Sequence, residues 1–497
     1  MSHGDASRAT GRLPGQGLGG AIVLVALFSI GAIVESAHLS SMQSPVVWGH
    51  LRAGMWILKN HGVPRTGLFS QPANLPWRDF SWGFDVIAAV MYKFAGLRAV
   101  PGLVMGFRLI VAMVLFLLAG GRKGNVWAAA ALAAVGLYTL SGVGPVATGA
   151  SVVFFGIELL VLMEWRCRPE FRATVLLPAL FLVWTNLDIG FVYGVAVLAL
   201  FVASLCMERA VDRSAMANHG RKRLPTAAIV LLACLIITGV SPYGFAGYAA
   251  FWEMETSAAN VNIPGYAAMG FRQPLDYVVL LLAMSGFLAL GLRRSRDVLL
   301  IGLLSGSAML AFHSQRENWL PIVSGVAVIG WTLTGSRATE EMRPIWRLDR
   351  QTIAVAGSST ALAALAFVLL IPRDSGVLLA KVGETLPVKA CDYIRSAGLA
   401  QPLFNAYEWG GFVTWYLPEY PAAIDSRRGL YPEDMESDYF KVMKVDVPYQ
   451  SLPAMKNART ILLEKSNVVA QGLKTVSGFR VAYEDDVAIV LLQGTSQ

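Results

Sequence analysis

The chain has 497 residues, 55% hydrophobic and only 15% charged, with a formal net charge of +8. Soluble globular proteins carry roughly 25% charged residues, and here the shortfall is gathered in blocks, which points to a polytopic membrane protein. No basic run with interleaved aromatics lies in a polar segment, so the positive balance fits loops facing anionic lipid and not nucleic acid.

In chain order, residues 1–20 are polar and Gly-rich and include Arg8 and Arg12. The apolar run that follows has no small-residue cleavage site and precedes further spans, so it reads as an uncleaved first helix. A bilayer-crossing helix needs about 20 mostly apolar residues. The spans expected on this basis are 20–38, 103–119, 125–141, 149–165, 173–187, 189–207, 226–241, 276–292, 298–313, 318–334 and 352–371, about eleven in all. Lys and Arg crowd alternate loops. Arg122 with Lys123, the Arg166–Arg172 group, the Arg209–Arg223 group, Arg293 to Arg296, and Arg337 to Arg350 lie on one side. The positive-inside rule makes that side cytoplasmic, with the N-terminus inside and the C-terminus outside. The expected location is a cell membrane crossed many times.

Two large segments then fall outside, the loop 39–102 and the tail 372–497. The expected organisation is a transmembrane part, 1–371, that includes this loop, followed by a small extracytoplasmic α/β domain, 372–497. In the loop, "VWGHLRAGMWILKNHG" sets Trp48, Leu51, Met55 and Leu58 on one helical face, an amphipathic helix suited to a membrane surface. "WGFDVIAAVMYKFAGL" reads as a second helix, and the turn-rich segment between them holds Pro64, Pro72 and Pro76. In the tail, "VKACDYIRSAG" and "EWGGFVTWYL" read as helices; "PLFN", "AAID", "ARTILLEK", "FRVAYE" and "DVAIVLLQ" read as strands. Cys167, Cys206, Cys234 and Cys391 have no metal-ligand spacing, and the tail holds only Cys391 and so no internal disulfide. P-loop, GxGxxG, HExxH and GxSxG patterns are absent.

A large outward loop after the first helix, many spans and an outward C-terminal domain resemble the GT-C superfamily, membrane glycosyltransferases that use polyprenyl-phosphate-linked sugars. The chain resembles most a mostly uncharacterised bacterial branch of it. That branch carries D-x-D-x-W-x-H-L-x-x-G-x-x-I, P-R-T-D-x-F-S and W-x-x-x-E-W in the first loop, where this chain has "SPVVWGHLRAGMWIL", "PRTGLFS" and "WRDFSWGF". Further on, "WTNLDIGF", "SPYG", "LFNAYEWGGF" and "AAIDSRRGLY" match W-x-N-x-H-G-G-F, N-P-Y-G, F-N-x-Y-x-W-G-G-Y and I-D-x-R. The resemblance implies transfer of a sugar from a polyprenyl-phosphate carrier to an extracytoplasmic acceptor at a bacterial inner (plasma) membrane, with a first-loop acid as general base or metal ligand. Yet Ser44, Val46, Gly67 and Ser81 stand where the branch has acids, and Asp188 stands where it has His.

The catalytic candidates are therefore what the outer side retains. Asp79 is a surrogate base near the loop's end. Glu35 lies at the outer end of the first helix, where an unpartnered carboxylate is costly. His50 titrates near neutrality. Asp188 interrupts two apolar runs at the outer face; it equally suits a cap on the following helix. Asp85, the loop's other carboxylate, reads as a charge near a helix N-terminus. A lipid phosphate calls for arginine at headgroup level; Arg316 with His313, Arg272, and Asn186 beside Asp188 are the binding candidates. Asp425 and Arg427 read as a structural pair. No metal ligand set is found, and the sequence leaves a divalent metal open. The expected partners are membrane lipid and the sugar carrier, with no nucleic acid. The alternative, raised by the missing acids, is a non-catalytic GT-C-fold subunit that assembles with partner membrane proteins.

Overall fold

Between residues 99 and 334 the described chain is mostly apolar helix. Leu, Met and Ala favour helix, and the Val-rich stretches are held by burial and not by propensity. The structure, a computed structural model, describes residues 39–121, 125–142, 146–167, 173–211, 215–263, 265–334, 361, 362, 365, 367 and 369–494. About 66% is helical, with a small mixed sheet at the C-terminal end. Among the described residues, four helices are long and apolar enough to cross a membrane: Trp82–Leu118, Thr148–Cys167, Phe191–Ala210 and Pro274–Leu292. Val126–Thr139, Ala173–Trp184, Arg223–Ile237 and Val298–His313 are shorter and apolar. The expected spans 20–38 and most of 352–371 lie outside the described residues, as do Arg122, Lys123, Arg168, Arg172 and the basic stretch 335–350.

Helix starts follow local chemistry. The Asn125 side chain accepts from Trp127 N and Ala128 N at the head of Val126–Thr139, and Asp297 accepts from Leu300 N at the head of Val298–His313. Such caps are each worth about 1 kcal/mol.

The apolar side chains separate into two clusters. One is made by the helices between 111 and 328, with Trp165, Trp184, Phe155, Phe181 and Trp319 fully buried. The other joins the first loop to the tail: Met42, Trp48 and Leu51 share a core with Phe404, Phe412 and Ile461. The helix Val46–Asn60 is thus clamped between the helices Trp82–Ala95 and Gly410–Tyr416. The Trp48 ring lies 4.4 Å from that of Trp415 and 5.8 Å from that of Phe412. The apolar face of this helix, which periodicity suits to a lipid surface, is covered by protein at Trp48 and Leu51; Val46 at its start and Leu58 in its last turn are exposed.

The tail sheet runs in the order β1 (Leu403–Asn405), β2 (Thr460–Glu464), β4 (Ala488–Gln493), β3 (Phe479–Glu484). β1 pairs parallel with β2; β2 with β4 and β4 with β3 are antiparallel. "VKACDYIRSAG" forms the helix Val388–Ser396. "AAID" differs from expectation. It joins no strand of this sheet and instead bridges to the first loop, with Gln71 N donating to Ala422 O at 2.8 Å and Ala422 N to Phe69 O at 3.2 Å. Asn405 in β1 takes up its remaining groups, accepting from Ala423 N and donating to Ile424 O, both at 2.8 Å. Beside this bridge Arg427 locks loop to tail. Its Nε lies 3.0 Å from both Asp425 oxygens and its Nη2 2.7 Å from Oδ2, while Nη2 also donates to Ser70 Oγ. The guanidinium lies 4.7 Å from the Trp77 ring and 5.3 Å from that of Phe69.

Candidate functional site

The clamp of the 46–60 helix fixes one polar cluster. Gly54 lies against the 82–95 helix so closely that a Cβ there would sit 1.9 Å from Asp85 O. That approach brings His50, one turn earlier, onto Asp85, with Nδ1 2.6 Å from Oδ1. Phe84 closes one side of the imidazole, its ring centroid 5.1 Å away. Asp79 completes the group. Its carboxyl lies within hydrogen-bonding reach of Asp85, while its Oδ1 accepts from Ser81 N at 3.1 Å and Ser81 Oγ at 3.2 Å. Tyr243, from "SPYG", holds the segment: its hydroxyl accepts from Asp79 N at 3.1 Å and donates to Pro64 O at 2.8 Å.

The electrostatics are unbalanced. Asp79 and Asp85 are 3% and 1% exposed, and Asp79 Oδ2 meets no donor. Two buried carboxyls this near each other cannot both ionise cheaply, so the pair favours holding a proton. Burial first, and then the charge of Asp85, hold the Asp79 carboxyl well above the usual range; His50 and the Ser81 N–H act against this. Burial lowers the His50 pKa, opposed by the charges of Asp79 and Asp188. The imidazole is therefore neutral near pH 7. With Nδ1 turned to Asp85, its Nε2 is the nitrogen left to take a proton, and the His50 side chain keeps 16% exposure.

The remaining candidates are spread around this group. Asp188 Oδ2 accepts from Ser151 Oγ and from Gly190 N at 3.0 Å, at the head of the Phe191–Val211 helix. Ser151 Oγ in turn accepts from Trp184 Nε1 at 2.8 Å. Asn186 joins three elements. It accepts from Trp82 Nε1 at 3.1 Å and donates to Leu182 O and Val240 O, both at 2.9 Å. Glu35 lies outside the described residues.

Arg316 belongs to a second cluster. It donates to Tyr266 Oη at 2.6 Å and Glu255 Oε1 at 3.4 Å, lies 3.6 Å from Glu317 Oε1, and stacks on the Tyr266 ring at 5.0 Å. Glu317 is held by Trp319 Nε1 at 3.0 Å. Burial, with Glu255 adding to it and Arg316 opposing, leaves the Glu317 carboxyl pushed up to about 7. His313 and Arg272 are exposed and join neither cluster. Among the described residues no group of three His, Cys, Asp or Glu is placed to hold a metal ion.

Sequence reasoning left Asp85 out of the site. The one available signal was its rarity, since it and Asp79 are the only acids between 39 and 102. Which face of the 82–95 helix meets His50 depends on the Gly54 contact, which spacing does not encode. No family model matches this chain, and no curated protein matches it.

Proposed function

We propose that this protein is a GT-C-like membrane glycosyltransferase moving a sugar from a polyprenyl-phosphate carrier to an acceptor outside the cytoplasm. In this reading about eleven spans cross a bacterial inner membrane, the basic loops face the cytoplasm, and the 39–102 loop and the tail share the outer side. The observation that carries the proposal is the His50–Asp85–Asp79 cluster. In place of acids at positions 44, 46, 67 and 81, the same loop offers two carboxylates, Asp85 on the His50 imidazole and Asp79 beside it.

The chemistry follows from that pairing. Asp85 orients His50 through Nδ1, and Nε2 takes the proton of the acceptor hydroxyl as its oxygen bonds to the anomeric carbon. The bond from that carbon to the carrier's phosphate oxygen breaks, and its electron pair leaves with polyprenyl phosphate. The negative charge retained between Asp79 and Asp85 stabilises the imidazolium formed. The full chain in lipid nanodiscs, given a polyprenyl-phosphate-linked sugar and an acceptor mixture, is expected to release polyprenyl phosphate. Release that persists undiminished in the His50→Ala, Asp85→Asn double variant discards the assignment.

A second reading, a non-catalytic subunit of the same architecture, draws on the near-complete burial of Asp79 and Asp85. Mass measurement after gentle extraction separates the two. Partner proteins of fixed stoichiometry, with no turnover of sugar carrier, favour the second.

A further inference from the structure

A cleft of about 560 Å³ opens where the first loop, the Ala246–Thr256 helix and the tail converge. Its first-loop wall is Pro76, Arg78 and Phe80, the residues on either side of Asp79. The tail contributes Arg428, Tyr431 and Glu436. Exposed Glu253 and Glu433 stand at its margin. Gly429, with φ of 71°, turns the chain so that Arg428 and Tyr431 both line the cleft; a β-carbon would disfavour that conformation.

One ion pair lies inside this cleft, while Arg78 and Glu253 on its wall have no ion-pair partner among the described residues. Arg428 Nη1 lies 3.2 Å from Glu436 Oε2, and Nη2 donates to Asn260 Oδ1 at 2.7 Å. Its plane stacks on the Tyr266 ring at 4.7 Å. Glu433 accepts from Ala258 N. Three buried polar atoms of the lining are left without a hydrogen-bond partner among the described residues: Arg428 Nε, Tyr431 Oη and Glu436 Oε1. Glu436 is 4% exposed, and its Oε1 meets no donor. A buried carboxylate oxygen without a donor costs stability, which a ligand donor would restore. An ammonium donor would be set against the Arg428 guanidinium. A phosphate would be set against Glu253, Glu433 and Glu436. A hydroxyl both donates and accepts, so it serves Glu436 Oε1 and the guanidiniums together. Phe80 and Tyr431 add ring surface for the apolar C–H face of such a ligand.

We propose that this cleft binds a neutral saccharide and that, on the glycosyl-transfer reading above, the saccharide is part of the acceptor. Phe80 ties the cleft to the carboxylate cluster. Its ring packs 5.4 Å from that of Tyr243, whose hydroxyl holds the Asp79 backbone.

The test uses the full chain in nanodiscs without any sugar carrier, so binding is read independently of transfer. Neutral gluco-, galacto-, manno- and N-acetylglucosamine-configured di- to tetrasaccharides are screened by saturation-transfer NMR, with inorganic phosphate as a charged probe. At least one saccharide is expected to bind, with affinity falling at least about tenfold in Glu436→Gln. Met254→Trp, which fills the cleft and leaves the Arg428–Glu436 pair intact, is expected to abolish binding with an unchanged unfolding midpoint. Silence of every saccharide overturns the proposal, as does binding indifferent to Met254→Trp, or binding of phosphate alone. Saccharide binding sensitive to both variants, in a protein that never turns over a sugar carrier, upholds the cleft and removes only the transfer reading.

Discussion

Two buried ionic groups hold the first loop, and they are built in opposite ways. At Arg427 one guanidinium meets one carboxylate, Asp425, through three contacts of 2.7 to 3.0 Å, with rings on Phe69 and Trp77 beside it. Charge is cancelled, and the geometry is the bidentate one that arginine favours, although Nη1 meets no acceptor. At His50 the imidazole meets one carboxylate, Asp85, and a second buried carboxylate, Asp79, stands beside them with one oxygen left without a donor. The first arrangement gains by staying as it is; the second gains by moving a proton. The difference separates a lock from a site more clearly than burial does, since Asp425 and Asp85 are both 1% exposed.

Breaking each group separately tests that distinction. On the proposed transfer reading, His50→Ala is expected to lower sugar-carrier turnover by roughly 10²–10⁴-fold while leaving the unfolding midpoint nearly in place, read by turnover kinetics and thermal unfolding of one preparation. Arg427→Met is expected to do the reverse. Asp425 becomes an uncompensated buried charge, and about 3–5 kcal/mol of stability is lost, seen as early proteolysis of the tail. Gly54→Ala lies between them. The added methyl would sit 1.9 Å from Asp85 O, so the helices must part. A loss of about 1–3 kcal/mol is expected, together with loss of the His50–Asp85 contact, visible in the imidazole NMR shifts.

The Arg316 cluster sharpens the comparison through pH. Glu317, ordinarily near 4.5, is raised to about 7. Between those values the folded protein keeps a proton that the unfolded chain releases. Stability from this group is therefore full at acid pH and declines as pH rises through that window. Glu317→Gln is expected to flatten the decline, measured as unfolding midpoint against pH. The smallest effect belongs to Lys441, paired with Asp438 on an exposed helix face at 3.2 Å. Lys441→Ala is expected to shift stability by no more than about 0.5 kcal/mol.

What the sequence revealed of this molecule depended on whether the signal was local. The tail strands Leu403–Asn405, Thr460–Glu464, Phe479–Glu484 and Ala488–Gln493 fall in the apolar runs that suggest them, and the first-loop helix carries its 3.6-residue stripe. Periodicity announces an apolar face without naming its cover. Trp48 and Leu51 suit a lipid surface or a protein partner equally, and Trp415 and Phe412 decide it. "AAID" has strand composition, yet its hydrogen bonds go to Phe69 and Gln71, a pairing no local pattern contains. At the candidate site His50 and Asp79 were visible as rare polar residues in an apolar loop. Their meeting through Asp85 was not, because it rests on a glycine contact between two helices.

Ser70 and Arg427 are 357 residues apart in the chain. At a synthesis rate of roughly 5–20 residues per second, the loop leaves the ribosome on the order of 20–70 s before the segment that seals it. Throughout that interval the nascent protein carries an uncovered Trp48–Leu51 surface. A chain cut short before residue 403 never covers that surface, since the tail residues that share its core lie beyond the cut.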